Sequence, residues 1–361
     1  MTTDLAVAPD PWIAILEGQQ FGDYKVGHHL GGGYFGLVFE AVNSRTGGVF
    51  AIKILRPGAN ADAVVDFENE GVLLRHLADC SGTINIVDGG SSDDVMINGA
   101  SVPLAVQFHV LARASGSVNE LILDPISRSK LSWIERIGFW RDVVLAVKQM
   151  HQRGIAHRDL KCDNCLLLVS RNLSSVKLTD LGRGKNFRIT ATRPIEHYVA
   201  GRGQLLHSPP EFLLHQGGST ADDFIAADYY GIGSILVELT TGQPMSVLAM
   251  GDIGAVLAEG RRDFAAGRRT DLSGYKPSYR SAVAQVVDQM PKTIQPDALT
   301  MLTHLCRPVP SERLDRPPFS RDRRAKDPLD WVLRRADIMS RRLEIDQREA
   351  RQRADKQRRS A

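Results

Sequence analysis

The sequence predicts an α+β fold in two lobes: a small β-rich lobe carrying one helix, then a larger α-helical lobe. Three observations carry that prediction. Residues 24–112 are mostly short apolar or alternating runs separated by turn residues, the pattern of strands. After Arg113 the apolar spacing changes to the three-to-four-residue period of helices. The 361 residues, 43% hydrophobic and 24% charged, suffice for one large or two smaller globular domains with a real core.

The elements follow in chain order. Residues 1–23 read as a lead-in arm, small and polar for the most part, with Pro9 and Pro11. Residues 24–112 form the first lobe. "YKVGHHL", "LVFEAV" and "VFAIKIL" are strands, with "NSRTGG" turning between the last two. "VVDFENEGVLLRHL" sets Val64, Phe67, Val72, Leu74 and Leu77 near helical spacing. Two further strands, around "INIVDGG" and "PLAVQFHVLA", are expected to flank a polar loop at Ser91–Asp94.

Residues 113–318 form the second lobe. "WIERIGFWRDVVLAVKQMHQRG" is a long amphipathic helix ending at Gly154, as helices commonly end on glycine. "AADYYGIGSILVELTTG" and "PDALTMLTHLC" continue the helical pattern. A ligand site is expected in a cleft between the lobes. Residues 319–361 are a basic helical tail, in which Leu329, Val332, Ala336, Met339 and Leu343 recur at helical spacing. That stripe suits a helix docked on the larger lobe, a helix that binds a protein partner, or a basic face for nucleic acid or anionic membrane.

Charge and cysteine content bound the function. The net charge of +3 is too small to imply a nucleic-acid partner for the whole chain. From Ser311 to Ala361 there are 16 Lys/Arg against 10 Asp/Glu, so the basic character belongs to the tail. Cys162 and Cys165 form a C-x-x-C, but no second such pair completes a zinc set, and reduced thiols are the plainer reading. No leader pattern opens the chain, and no run approaches the roughly 18 apolar residues of a membrane span. A soluble, cytoplasmic protein is the expectation.

The chemistry is spread along the chain. Gly31-x-Gly33-x-x-Gly36 precedes a strand, and glycines there let backbone N–H groups approach phosphate oxygens. Alone the pattern is weak. Lys53 then sits within the apolar strand "FAIKIL", and Glu70, with Glu68 as its alternative, falls on the following helix. "HRDLKCDN" spans 157–164, "DLG" 180–182 and "SPPE" 208–211, and Asp228 opens "DYYGIGSILVELTTG".

In the order and spacing of these elements the chain resembles the eukaryotic-type protein kinase family over roughly residues 24–318. The resemblance implies a protein-kinase-like fold and the transfer of the γ-phosphoryl group of ATP to Ser/Thr hydroxyls of a protein substrate, with Mg²⁺. It implies that Lys53 contacts the α- and β-phosphates and is held by Glu70. Asp159 would accept or orient the proton of the attacking hydroxyl, and Lys161 would offset developing charge. Asn164 and Asp180 would hold Mg²⁺, which prefers oxygen ligands. Val38, Ala51 and Leu166 would enclose adenine, with backbone contacts along Leu111–Arg113. Asp228 would bind the backbone of His157 and Arg158. Glu211 would pair with Arg313, or with Arg316.

Departures from the family pattern also carry information. Leu181 replaces the aromatic residue of the commoner D-F-G. Asp180 follows Asn164 by sixteen positions, a few more than usual, absorbed in a longer hairpin at "VSRNLSSVK". Gly203-Gln204 stands where many Ser/Thr kinases have Gly-Thr, which loosens the substrate class. Arg158 before the catalytic Asp suggests control by phosphorylation at Thr190, Thr192 or Tyr198, near Arg183, Lys185 and Arg188. A pseudokinase or nucleotide-binding scaffold, working through a partner, is the alternative. Retention of Lys53, Asp159, Asn164 and Asp180 stands against it, and Lys161 and the "SPPE" element stand against a small-molecule kinase.

Overall fold

The computed structural model describes residues 10–33, 36–170, 173–190, 193–200, 204–315 and 327–360. The chain divides into two compact units. Unit 1 comprises residues 1–79, 83–115 and 181–183; unit 2 comprises 80–82, 116–180 and 184–361. Thr192, Gly203 and Arg316 lie outside the described residues.

Unit 1 is built on an antiparallel sheet of six strands: β1 (Gln20–Phe21), β2 (Tyr24–Gly32), β3 (Gly36–Asn43), β4 (Val49–Leu55), β5 (Ile86–Ile97) and β6 (Ala100–Ala112). Their order is β1-β2-β3-β4-β6-β5. Alternation decides its faces. Leu37, Phe39, Ala41, Ile52 and Ile54 point into one core with Val26, Phe108 and Val110. Val38, Ala51 and Lys53 therefore share the opposite face, Val38 directly across from Lys53.

Two helices complete the unit. Helix α1 (Pro11–Leu16) starts at Asp10, whose carboxylate accepts from Trp12 N, and buries Leu16 in the sheet core. The stretch read as an arm thus closes one end of the core, because Trp12, Ile13, Ile15 and Leu16 outweigh its polar neighbours. Helix α2 (Ala61–His76) is capped by Asn60, whose side chain accepts from Ala63 N. Its buried side is Phe67, Glu70, Leu73, Leu74 and Leu77, whereas Val72, expected on that side, is 61% exposed.

The expected loop at Ser91–Asp94 is not a loop. Those residues lie within β5, paired with β6 as far as Ile97↔Ala100. The turn is Asn98-Gly99, at φ +51° and +81°. An Asn-Gly pair is the favoured two-residue hairpin turn because both positions need positive φ. Polar composition at 91–94 reflects an exposed strand face, and the Asn-Gly signal was the one to follow.

Unit 2 is helical around the helices Trp133–Gln152 and Ala221–Thr241. The first begins in a capping box between Ser132 and Glu135 and ends before Gly154 at φ +80°. Trp140, fully buried, donates from its indole to Ile232 O at 2.8 Å on the second. Two glycines let that second helix pack closely. A Cβ at Gly231 would lie 2.6 Å from Leu160 Cβ, and one at Gly233 2.4 Å from Cys306 Sγ. The longer hairpin is present as strands Cys165–Ser170 and Leu173–Leu178.

The tail forms the helix Asp330–Ser360, packed on Trp133–Gln152. All five residues of its predicted stripe, Leu329, Val332, Ala336, Met339 and Leu343, are buried. Arg335 and Arg342 both pair with Asp297, itself 1% exposed. Residues beyond Leu343 are largely exposed. Among the described residues no helix is long and apolar enough to cross a membrane.

Candidate functional site

In unit 1 the glycine-rich turn joins β2 to β3. Gly33 N donates to Gly36 O at 2.9 Å. The glycines are needed for different reasons. Gly31 has φ +153°, and no described residue lies within 4 Å of where its Cβ, or that of Gly33, would stand. A Cβ at Gly36 would come within 2.9 Å of Ile54 O, so that glycine serves strand packing.

Lys53 Nζ lies 2.5 Å from Glu70 Oε2, with Glu70 almost wholly buried. Glu68, the other sequence candidate, is exposed and accepts instead from Gln107 at 3.2 Å. A lysine desolvated on a sheet face needs such a partner to stay charged. Ala51 is buried beside it and Val38 is half-buried. Asn69 donates from Nδ2 to Leu181 O and Gly182 O, at 3.3 and 2.9 Å, which ties the "DLG" backbone to helix α2.

In unit 2 the loop 157–164 is held at every turn. Asp228, buried in the helix Ala221–Thr241, accepts from His157 N at 2.8 Å and Arg158 N at 2.7 Å. That fixes Arg158 at φ +65°, a conformation costly for a residue with a Cβ. His157 Nδ1 accepts from Asp159 N at 3.3 Å, so the imidazole carries its proton on Nε2 and donates to Thr179 O at 3.0 Å. Thr179 N donates to Asn164 O at 3.0 Å. Asn164 and Asp180 are thereby held on adjoining stretches, and Asp180 takes φ +60°.

Within this loop Lys161 Nζ donates to Asp159 Oδ2 at 3.0 Å. Asn164 Nδ2 donates to Asp159 O at 2.7 Å, which leaves Asn164 Oδ1 as the acceptor end of its amide. An amide oxygen and the Asp180 carboxylate form a hard oxygen donor pair, the chemistry Mg²⁺ selects while keeping several waters. The residues present fit that ion. Among the described residues no group of three or more His, Cys, Asp and Glu could hold a metal. Cys162 and Cys165 are fully buried, and burial pushes both thiols well above their ordinary range. Leu166 is half-buried just after the loop.

The supporting pair is also formed. Arg313 and Glu211 make two parallel 2.8 Å hydrogen bonds, with Arg313 fully buried. Of the candidate phosphorylation sites, Thr190 and Tyr198 fall on described residues. Thr190 is exposed, whereas Tyr198 is 3% exposed, with its ring under the Arg158 guanidinium at 5.3 Å. Phe224 lies on that guanidinium too, at 4.8 Å. Gln204 is exposed and bonds neither Asp159 nor Lys161 among the described residues.

Sequence reasoning missed two supports. His151 Nε2 lies 2.8 Å from Asp228 Oδ2. Glu238, buried, accepts from Cys162 N at 3.2 Å and lies 3.4 Å from His207 Nε2. The available signal for Glu238 was a lone carboxylate inside the apolar run "GSILVELTT", where a charge needs a partner.

Comparison with known proteins agrees with this geometry. The family described as "Protein kinase domain" matches residues 24–319. Calcium-dependent protein kinase 1 of Oryza sativa subsp. japonica is 30% identical over 66% of this chain and 43% of its own. Calcium-dependent protein kinase 15 of the same species is 31% identical over 61% and 37%. Probable cyclin-dependent kinase 10 of Dictyostelium discoideum is 28% identical over 60% and 53%. The chain thus spans about half or less of the length of these relatives.

Proposed function

The chain belongs to the protein kinase family, and from that premise we propose that it transfers the γ-phosphoryl group of ATP to Ser/Thr hydroxyls of a protein substrate. The observation that carries this reading is the joint retention, in formed geometry, of Lys53–Glu70 and of Asp159, Lys161, Asn164 and Asp180. Gly31 and Gly33, where a Cβ would meet no described atom, let the backbone come close to phosphate oxygens, and Lys53, aimed by Glu70, takes the α- and β-phosphate oxygens. Val38, Ala51 and Leu166 give apolar surface for adenine, with Leu111–Arg113 supplying backbone contacts. Asp159 orients the attacking hydroxyl and takes its proton. Lys161, already hydrogen-bonded to Asp159, neutralises charge on the moving group. Asn164 and Asp180 hold Mg²⁺, which when bound offsets phosphate charge.

Lys161 favours Ser/Thr over Tyr. Regulation through the segment between Asp180 and Glu211 belongs to the same proposal. Thr190 is its exposed described hydroxyl, with Lys185 Nζ donating to Thr190 O at 3.2 Å. Incubating the purified chain with Mg-ATP, beside Asp180→Ala, and mapping phosphates by mass spectrometry tests all of this. Phosphoserine or phosphothreonine on the intact protein, or on a generic substrate, and none from the variant, is expected. ATP binding without transfer would replace the reading with a nucleotide-binding scaffold, and phosphotyrosine would overturn the substrate class.

A further inference from the structure

Inside unit 1 sits a buried histidine that the proposed chemistry does not use. His109 on β6 is 7% exposed and lies directly across from Lys53 of β4 in the sheet register. Its ring stacks on Phe67 of helix α2, with centroids 4.1 Å apart and planes 8° from parallel. Nε2 lies 2.9 Å from Phe67 O. A carbonyl can only accept, so Nε2 carries the proton. Nδ1 is buried and has no hydrogen-bond partner among the described residues.

The helix is shaped to receive this ring. Gly71 sits within α2, where glycine costs about 1 kcal/mol against alanine. A Cβ there would lie 2.6 Å from His109 Cε1 and 2.9 Å from Nε2. Glycine at 71 therefore opens the backbone to the imidazole, one residue from Glu70.

We propose that His109 is the positioning residue that seats helix α2, and with it Glu70, against Lys53, and that it does so only as the neutral imidazole. The charges facing it are all cations or already committed. Lys53 comes from β4, Arg75 from α2 within reach of both Gly71 and Gly89, and Glu70 is engaged with Lys53. From β5 the facing residue is Gly89, which brings no charge. A proton on Nδ1 would put a buried cation between Lys53 and Arg75, a cost that the Phe67 and Phe108 carbonyls offset only in part. Burial, then Lys53 and Arg75, hold His109 below the ordinary imidazole value of about 6.5. A state with α2 unseated binds that proton more readily. Seating is thus complete above about pH 6.5 and weakens as pH falls below it.

The relevance of seating to catalysis rests on the phosphate-binding reading of Lys53, so the test reads structure and activity separately. Imidazole ¹H–¹⁵N spectra of the full chain give the tautomer and titration of His109. Hydrogen exchange of residues 61–76, corrected for its intrinsic pH dependence, reports seating. The expected result is an Nε2–H tautomer titrating below the ordinary imidazole range and faster exchange in α2 as pH falls. His109→Gln, which keeps a donor but cannot titrate, should abolish that pH dependence. His109→Met, which loses the donor, should raise KM for ATP roughly five- to tenfold at pH 7.5, the worth of one hydrogen bond. Gly71→Ala should lower Tm in the wild-type chain but raise it in a His109→Ala background, where the Cβ has room. An ordinary titration near 6.5, or the same sign for Gly71→Ala in both backgrounds, overturns the proposal. Seating that behaves as described while ATP binding is indifferent to it would sink the Lys53 reading and leave the clamp standing.

Discussion

The Arg313–Glu211 pair gives a prediction whose size can be worked from the structure. Arg313 has five N–H donors, and all five are placed. Nε donates to Arg307 O at 2.6 Å; Nη1 to Glu211 Oε1 at 2.8 Å and Ala226 O at 3.1 Å; Nη2 to Glu211 Oε2 at 2.8 Å and Pro308 O at 3.2 Å. Tyr230 covers one face at 4.9 Å. Burial alone would lower its pKa, and Glu211 reverses that, so the guanidinium stays charged. Removing one partner of a buried pair costs about 3–5 kcal/mol. Arg313→Met also takes one donor from each of three carbonyls, which places it at the upper end, about 5 kcal/mol. Arg313→Lys keeps a charge but not the fork, and should still cost about 3 kcal/mol. Replacing both partners by Met removes the stranded charge and should cost less than Arg313→Met alone. Urea unfolding at pH 7.5, followed by tryptophan fluorescence, measures each. A cost below about 1 kcal/mol for Arg313→Met, or a double variant no better than the single, would refute the reasoning.

Three further outcomes are expected. Deleting residues 329–361 bares the helix Trp133–Gln152 and strands the buried carboxylate of Asp297, so the urea midpoint should fall steeply or the transition vanish; stopping after Asp346 removes residues that are exposed wherever described and should leave stability within about 0.5 kcal/mol. Urea midpoints of the two truncations check this. His304, against Trp331 of the tail helix at 5.2 Å, is held down to about 4 by burial and then by Arg307. Because the unfolded value is near 6.5, its contribution is full above that pH and is lost as pH falls toward 4; His304→Phe should flatten that part of a stability–pH profile. Gly99→Val forces a β-branched residue to positive φ and should cost about 1–2 kcal/mol, seen as a lower Tm without loss of ATP binding.

The sequence by itself determined the α+β order, the long helices with their glycine ends, and the motifs whose residues we propose for phosphoryl transfer. Those are encoded locally, in hydrophobic period, caps and motif spacing. Even the tail stripe, from Leu329 to Leu343, was legible as one face of a helix. Tertiary structure decided what those faces meet. Glu70 over Glu68 followed from which side of α2 turns to Lys53. The long β5–β6 hairpin followed from pairing across Asn98-Gly99, which overrode the polar composition at 91–94. Helix α1 earned its place from the open end of a sheet core that no local pattern announces. Pairings such as Arg313–Glu211, Glu238 with Cys162 N, and His109 with Phe67 O join residues 42 to 102 positions apart. A buried polar group tells that it needs a partner, but only the folded chain supplies which one.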